Sequence, residues 1–466
     1  MRQIPSRFRL PGFVVAASSR TLRLSQFSAF NPRPLFIGLP VAKAFLPPIS
    51  SSPRSSTTNS NKAKPIATAP LKFPTQGFQL YDPSDKVEEE TLPTYDAKAY
   101  YPARLGEIIR HGKDQYQLVT KLGYGSSSTV WLCYNLVTKD YKTLKIHVNT
   151  LPFNRELEIF QHLDSFKHAE HPGRAFLRAL DDSFQIKGPH GTHEVFVFAP
   201  LGFSLRRFQK RMPDDQIFDK DLVRMALFQA LIGLNYLHDV ANVTHTDFHS
   251  DNLLMSITDD SIFADVVKAE TVTDPSHRKQ TEDGVIYSSR DIALGAGEII
   301  LCDFGVARIG KEHEGMALPL QYRTPEVLLG SKWGHSVDVW SFALTAWDLI
   351  QPAALFRIHS ETDMELNTAH HLADMVALLG PPPKEFLRRS MACEKYWDND
   401  GNWKHPVQIP AERAMESLQR ALQGEDADAF LDFMRKLLRW IPEERPSTED
   451  LLSDPWVNPW LETEED

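Results

Sequence analysis

His245-Thr246-Asp247-Phe248-His249-Ser250-Asp251-Asn252 is the stretch that decides how this chain reads. It sets a carboxylate, Asp247, five residues ahead of a side-chain amide, Asn252. A carboxylate on such a loop can take the proton of a hydroxyl group. An amide oxygen beside it can ligate a hard cation. The stretch follows Leu222–Asp239, where Leu222, Met225, Ala226, Gln229, Leu231, Ile232 and Leu237 recur at helical spacing. Fifty residues separate Asn252 from Asp303 in Cys302-Asp303-Phe304-Gly305, which is led by the apolar run Ile299-Ile300-Leu301. Asp303 offers a second oxygen ligand for the same cation.

Upstream lies Leu122-Gly123-Tyr124-Gly125-Ser126-Ser127-Ser128-Thr129-Val130. Glycines at a β-turn let backbone amides approach phosphate oxygens. Ser128 stands where a third glycine would complete the pattern, and a flexible hairpin turn would look the same. Lys145, in Thr143-Leu144-Lys145, sits on a strand-like run. Facing inward, it needs an anionic partner, because burying an ammonium alone is costly. Glu156 in Arg155-Glu156-Leu157-Glu158-Ile159 can supply one, with Glu158 as the second choice. Facing outward, Lys145 is an edge-strand surface residue. Downstream stand Thr324-Pro325-Glu326, a helix carrying Asp338-Val339-Trp340-Ser341, and Arg445. Each motif alone recurs by chance; their joint order is what carries the reading.

Tyr116–Leu122, Thr129–Tyr134, Lys142–Val148 and Val195–Phe198 are β-rich runs separated by turns, interrupted by one helical stretch, Asn154–Asp164. Beyond Leu201 helices dominate, with Val337–Ile350, His371–Leu379 and Phe430–Trp440 following Leu222–Asp239. The fold class expected is α+β, a small β-rich lobe ahead of a larger helical one, with a ligand cleft at the junction. The boundaries expected are a basic tail 1–80, an extension 81–115, a first lobe 116–200, a second lobe 201–458 with an insert at 255–298, and an acidic tail 459–466. The insert, acidic-apolar at Asp259–Glu270 and polar at Thr271–Asp283, reads as a surface excursion with a short helix.

Composition narrows the classes further. Of 51 basic and 61 acidic residues, 11 basic and no acidic ones fall in Met1–Leu80, leaving the body at a net −21. An acidic body argues against a nucleic-acid groove and suits a basic peptide substrate, although ordinary solubility gives the same balance. Cys133, Cys302 and Cys393 form no disulfide framework and no metal knuckle. No run of 18 apolar residues is present, so no membrane span is expected. The tail carries Arg2, Arg7, Arg9, Arg20 and Arg23 among serines without an acid. That is the composition of a mitochondrial presequence; a disordered tail and a secretory signal at Leu10–Ala17 are the alternatives.

The stretch Tyr116–Trp456 resembles a eukaryotic protein kinase domain, and within that superfamily the serine/arginine-rich protein kinases and their fungal relatives. Tyr100-Tyr101-Pro102-Ala103-Arg104-Leu105-Gly106, His245-Thr246-Asp247, Gln321-Tyr322-Arg323, Ala377-Leu378-Leu379-Gly380-Pro381-Pro382-Pro383 and Arg439-Trp440-Ile441-Pro442-Glu443-Glu444-Arg445-Pro446 carry the resemblance. It implies a bilobal protein kinase fold and transfer of the γ-phosphate of ATP, with Mg²⁺, to serine or threonine. The activity class is a non-specific serine/threonine protein kinase, and the substrates implied are Arg-Ser-rich splicing proteins. Asp247 is then the catalytic base, Asn252 and Asp303 the metal ligands, and Lys145 the phosphate ligand held by Glu156. Leu122, Gly123, Gly125, Ser128 and Val130 would cover the nucleotide, and Ala199 and Leu201 would meet adenine. A monomer is expected. The family implies cytoplasm or nucleus, whereas the tail suggests mitochondria.

Two positions depart from the pattern. His249 stands where a lysine two residues after the base normally reaches the γ-phosphate, and Pro319 where many such kinases have threonine. A unit charge there is worth up to about 4 kcal/mol at 4 Å and an effective dielectric of about 20, so a slow kinase is expected. From Asp303 to Glu326 the only hydroxyl side chains are Tyr322 and Thr324, and Thr246 replaces the arginine that usually meets a loop phosphate. Activity without loop phosphorylation follows as an expectation. A pseudokinase scaffold and a small-molecule kinase are the competing readings.

Overall fold

β-branched and aromatic residues at alternate positions build the first layer. The structure is a computed structural model that describes residues 69–460 except 214–217, 293, 294, 296, 361 and 412. The expected presequence, and all but two residues of the expected acidic tail, lie outside the described residues. Strands β1 (Ile108–His111), β2 (Asp114–Gly125), β3 (Ser128–Asn135), β4 (Tyr141–His147), β5 (Asp182–Lys187) and β6 (Thr192–Phe198) form one sheet in the order β1-β2-β3-β4-β6-β5. Every pairing in it is antiparallel. One face buries Leu118, Trp131, Cys133, Leu144, Ile146, Val195 and Val197. β5 was not anticipated: of its six residues only Phe184 is buried, too little alternation to signal a strand.

Helix α1 (Arg155–Ser165) packs on this sheet, and its start is set by Asn154, whose side chain accepts from the Leu157 N–H at 3.3 Å. The chain then crosses to a helical layer through β7 (Leu201–Ser204) and the short α2 (Leu205–Gln209). Helices α3 (Lys220–Asn235) and, later, α6 (Ser336–Ile350) form its centre. α6 buries Val337 to Trp347 without interruption, Asp338, Ser341 and Thr345 included, so it lies inside the lobe. The expected helix to Asp239 instead changes at Tyr236 into a π turn, Tyr236–Val240. The wider turn brings His238 Nε2 to 2.8 Å from Asp338 Oδ2.

Two short hairpin-like sheets carry the loops between the lobes. β9 (Leu253–Ser256) lies between β7 and β12 (Ile299–Leu301), and β8 (Val243–Thr244) pairs with β13 (Arg308–Ile309). Between β9 and β12 the insert forms α4 (Ile262–Lys268) and the β10–β11 hairpin (Arg278–Gln280, Val285–Tyr287). The short helix was expected, but the segment is not a surface excursion. Phe263, Val266 and Ile292 bury against Val119 and Leu132, on the face of the first sheet opposite its main core. Glu270, 1% exposed, accepts from Thr120 Oγ1 at 2.7 Å and from Arg290 Nε at 2.9 Å. Farther on come α5 (Pro325–Leu328) and α7 (Met364–Leu379). α7 starts seven residues before the expected His371, because Asp363 caps it (2.9 Å to the Leu366 N–H) and Met364, Glu365 and Leu366 of its first turn are exposed, leaving no buried apolar stripe there to read.

Candidate active site

The first sheet contributes an ammonium. Lys145 on β4 sits opposite Phe196 and Val130 in register, and its Nζ lies 2.6 Å from Glu156 Oε2 on α1 and 3.6 Å from Asp303 Oδ1. Glu156, rather than Glu158, is therefore the partner. Burial alone would favour the neutral amine, but the charges of Glu156 and Asp303 outweigh it and raise the Lys145 pKa. Burial likewise disfavours the Glu156 carboxylate, yet Lys145 and a hydrogen bond from His147 hold its pKa low. The Lys145 charge is the main reason that the Asp303 carboxyl is also held low.

The helical lobe contributes the oxygens. Asn252 donates from Nδ2 to both Asp247 Oδ2 and the Asp247 carbonyl, each at 2.9 Å, so its Oδ1 is left for another partner. The Cys302 N–H donates to the Asn252 carbonyl at 2.9 Å, which sets Asp303 beside this loop at the end of β12. Asp303 has a φ of +65° and an exposed side chain. A buried carboxylate from α6 holds the other end of the loop. Asp338 accepts from the His245 N–H at 2.7 Å and the Thr246 N–H at 2.8 Å, which fixes Thr246 at a φ of +64°. Behind the loop an aromatic stack joins the layers: Phe160 of α1 meets Phe304 at 5.4 Å, and Phe304 meets His245 at 5.4 Å.

The glycine-rich turn joins β2 to β3, the strand whose Val130 pairs with Lys145. Gly123 pairs with Val130 and Gly125 with Ser128 in the β2–β3 register. Ser128 itself is a strand residue paired with His147 and is not among the positive-φ positions. No glycine conformation is required there, which explains how serine is accommodated. A Cβ on Gly125 would meet nothing within 4 Å, so open space lies beside this backbone. The outer connection between the layers runs through the exposed Ala199 to Leu201, the first residue of β7.

Several residues were not anticipated from sequence. Tyr100 donates its hydroxyl to the Gly125 carbonyl at 2.9 Å. Lys121, 1% exposed at the base of the glycine turn, is paired with Glu89 and lies 3.4 Å from Glu88. Arg207 of α2 bonds Asp291 of the insert at 2.5 Å and reaches the Leu122 carbonyl at 3.5 Å. The N-terminal extension and the insert thus hold the turn from two sides. Among the described residues no group of three or more His, Cys, Asp or Glu could hold a metal. A site of one carboxylate and one amide oxygen fits Mg²⁺, which keeps water and phosphate oxygens in its shell.

A sheet lobe, a helical lobe, and a lysine–carboxylate–amide cluster between them define a protein kinase fold. The chain belongs to the protein kinase domain family, which matches it over residues 116–457. It is 39% identical to a serine/threonine protein kinase of Aspergillus fumigatus, over 84% of this chain and 96% of that protein. It is 29% identical to the serine/threonine-protein kinase SRPK of Physarum polycephalum, over 79% of this chain and 91% of that one. SRSF protein kinase 3 of Mus musculus matches at 22%, over 81% and 92%. A crystal structure of a kinase domain superposes with a TM-score of 0.57 at 22% identity, covering 78% of this chain and all of the other. The bilobal fold and the likeness to SRPK-type kinases expected from sequence are therefore found. No helix among the described residues is long and apolar enough to cross a membrane.

Proposed function

We propose that this chain is an ATP-dependent protein kinase that phosphorylates serine or threonine hydroxyls. In this reading Leu122, Gly123, Gly125, Ser128 and Val130 cover the nucleotide, and the Ala199 carbonyl and Leu201 N–H meet adenine. Lys145, held by Glu156, binds phosphate oxygens. Asn252 Oδ1 and the Asp303 carboxylate hold Mg²⁺, which supplies charge neutralisation on the phosphates. Asp247 orients the substrate hydroxyl and takes its proton as the oxygen bonds to the γ-phosphorus and the bond to ADP breaks. Phosphoryl transfer asks for positioning and charge compensation more than for covalent help.

The observation that carries this reading is the Lys145–Asp303 contact at 3.6 Å beside the Asn252–Asp247 bond at 2.9 Å. It draws one cation, two carboxylates and one amide from three separate parts of the chain to one place. A net charge of −21 on the body beyond Leu80 supports a basic substrate, and an Arg-Ser-rich one is the form proposed. Purified protein with Mg-ATP and an Arg-Ser peptide is expected to yield phosphopeptide, faster than with a peptide whose arginines are replaced by glutamate. Asp303→Asn is expected to be silent. Equal incorporation by wild type and Asp303→Asn, or none by either, sinks the catalytic reading.

A further inference from the structure

We infer that His249 is a positioning residue for Asp247, acting on the base rather than on the phosphate. The inference rests on the kinase reading and deepens it. His249 Nε2 lies 3.3 Å from Asp247 Oδ1. On the other side of the ring the Asp251 N–H donates to Nδ1 at 3.2 Å. Nδ1 is thus an acceptor, and the ring proton belongs on Nε2, which faces both Asp247 Oδ1 and Asn252 Nδ2 at 3.3 Å. Asn252 Nδ2 holds the other Asp247 oxygen at 2.9 Å. The carboxylate is flanked on both sides, Oδ1 by the imidazole at 3.3 Å and Oδ2 by the amide hydrogen bond at 2.9 Å.

The ring has little freedom to leave. Tyr322 lies against it with centroids 5.9 Å apart, and the Tyr322 hydroxyl donates to Asp348 Oδ2 of α6 at 2.6 Å. A lysine at position 249 would carry its charge on a longer, flexible stem and could extend over a phosphate. The shorter imidazole ends at Asp247 instead. The segment leading into α5 therefore backs the histidine, and the histidine sets the rotamer of the base. This is the arrangement of an orienting partner behind a functional group, an interaction worth about 10- to 100-fold in activity.

The test compares three purified full-length proteins with Mg-ATP and an Arg-Ser peptide. His249→Leu, which keeps bulk and removes the donor, is expected to lower kcat about 10- to 100-fold while leaving KM for ATP within about twofold. His249→Gln, which retains an N–H donor, is expected to recover most of that loss. An unchanged kcat in His249→Leu, an equal loss in both variants, or a loss expressed in KM for ATP overturns the inference while the kinase reading stands. Histidine side-chain ¹⁵N shifts at pH 8 decide the geometry even if wild type proves silent. They should report an Nε2-protonated ring that responds to Asp247→Asn, and a proton on Nδ1 contradicts the inference.

Discussion

Lys145 Nζ and Glu156 Oε2 lie 2.6 Å apart, joining strand β4 to helix α1 with the lysine also 3.6 Å from Asp303. The pair is largely buried, at 15% and 5% side-chain exposure. Such a pair is weak evidence for stability, but breaking it leaves an uncompensated charge. Lys145→Met is expected to lower kcat/KM by about 100-fold or more, in line with loss of one preorganised charge contact. It also leaves the buried Glu156 carboxylate with His147 as its remaining partner and no paired cation from Lys145, at a cost of about 3–5 kcal/mol. Glu156→Gln should cost less stability than Lys145→Met. The reverse order in thermal unfolding would rule out this account of the pair.

The extension that precedes the kinase domain is predicted to be part of its folded core. Lys121 and Glu89 form a buried pair. Lys121→Met or Glu89→Gln should each cost about 3–5 kcal/mol, whereas the two combined should cost less than their sum. Denaturant unfolding of the three variants gives the coupling; additive losses are incompatible with a direct pair.

Loop phosphorylation should be dispensable. Tyr322 is 4% exposed with its hydroxyl on Asp348, and Thr324 is fully buried as the cap of α5. Neither hydroxyl is open to a kinase, and Thr246 gives its own hydroxyl to the Val306 carbonyl at 2.8 Å. Phosphatase-treated enzyme is expected to keep the activity of untreated enzyme within about twofold. Inactivation by phosphatase is the opposing result.

Acid is predicted to destabilise the fold before it titrates ordinary carboxylates. Burial pushes the His371 pKa down to about 3 and that of His335 down to about 4. Both stay neutral when folded but take up a proton near pH 6.5 when unfolded, so their contribution is present above pH 6.5 and lost as pH falls. Each loses about 2 kcal/mol by pH 5. Asp348, raised by burial to about 6, shifts the opposite way by about 1 kcal/mol over that range. The net expectation is a lower unfolding midpoint at pH 5 than at pH 7. A flat or rising midpoint would contradict it.

Lys145, Asp247, Asn252 and Asp303 were legible because each chemical demand sits in a short local pattern. A strand lysine needs a counter-ion, and a loop carboxylate gains its meaning from the amide five residues on. The supporting residues were not legible, because their partners are far away in sequence. Asp338 holds His245 from 93 residues downstream, Arg207 reaches Leu122 across 85, and Glu89 meets Lys121 across 32. Periodicity located the long buried helices but missed β5, where a single buried residue leaves no alternation. The insert looked superficial from its polar composition, because Phe263 and Val266 alone carry the buried face of α4.

The most direct test of the central claim follows both products of one reaction. Wild-type protein and Asp247→Asn are incubated with Mg-ATP and an Arg-Ser peptide, and ADP and phosphoserine are counted by mass spectrometry. Wild type should form them in equal amounts, and Asp247→Asn should form them at least about 100-fold more slowly. ADP without phosphopeptide, or a variant as fast as wild type, would show that the Asp247 cluster does not transfer phosphate to protein.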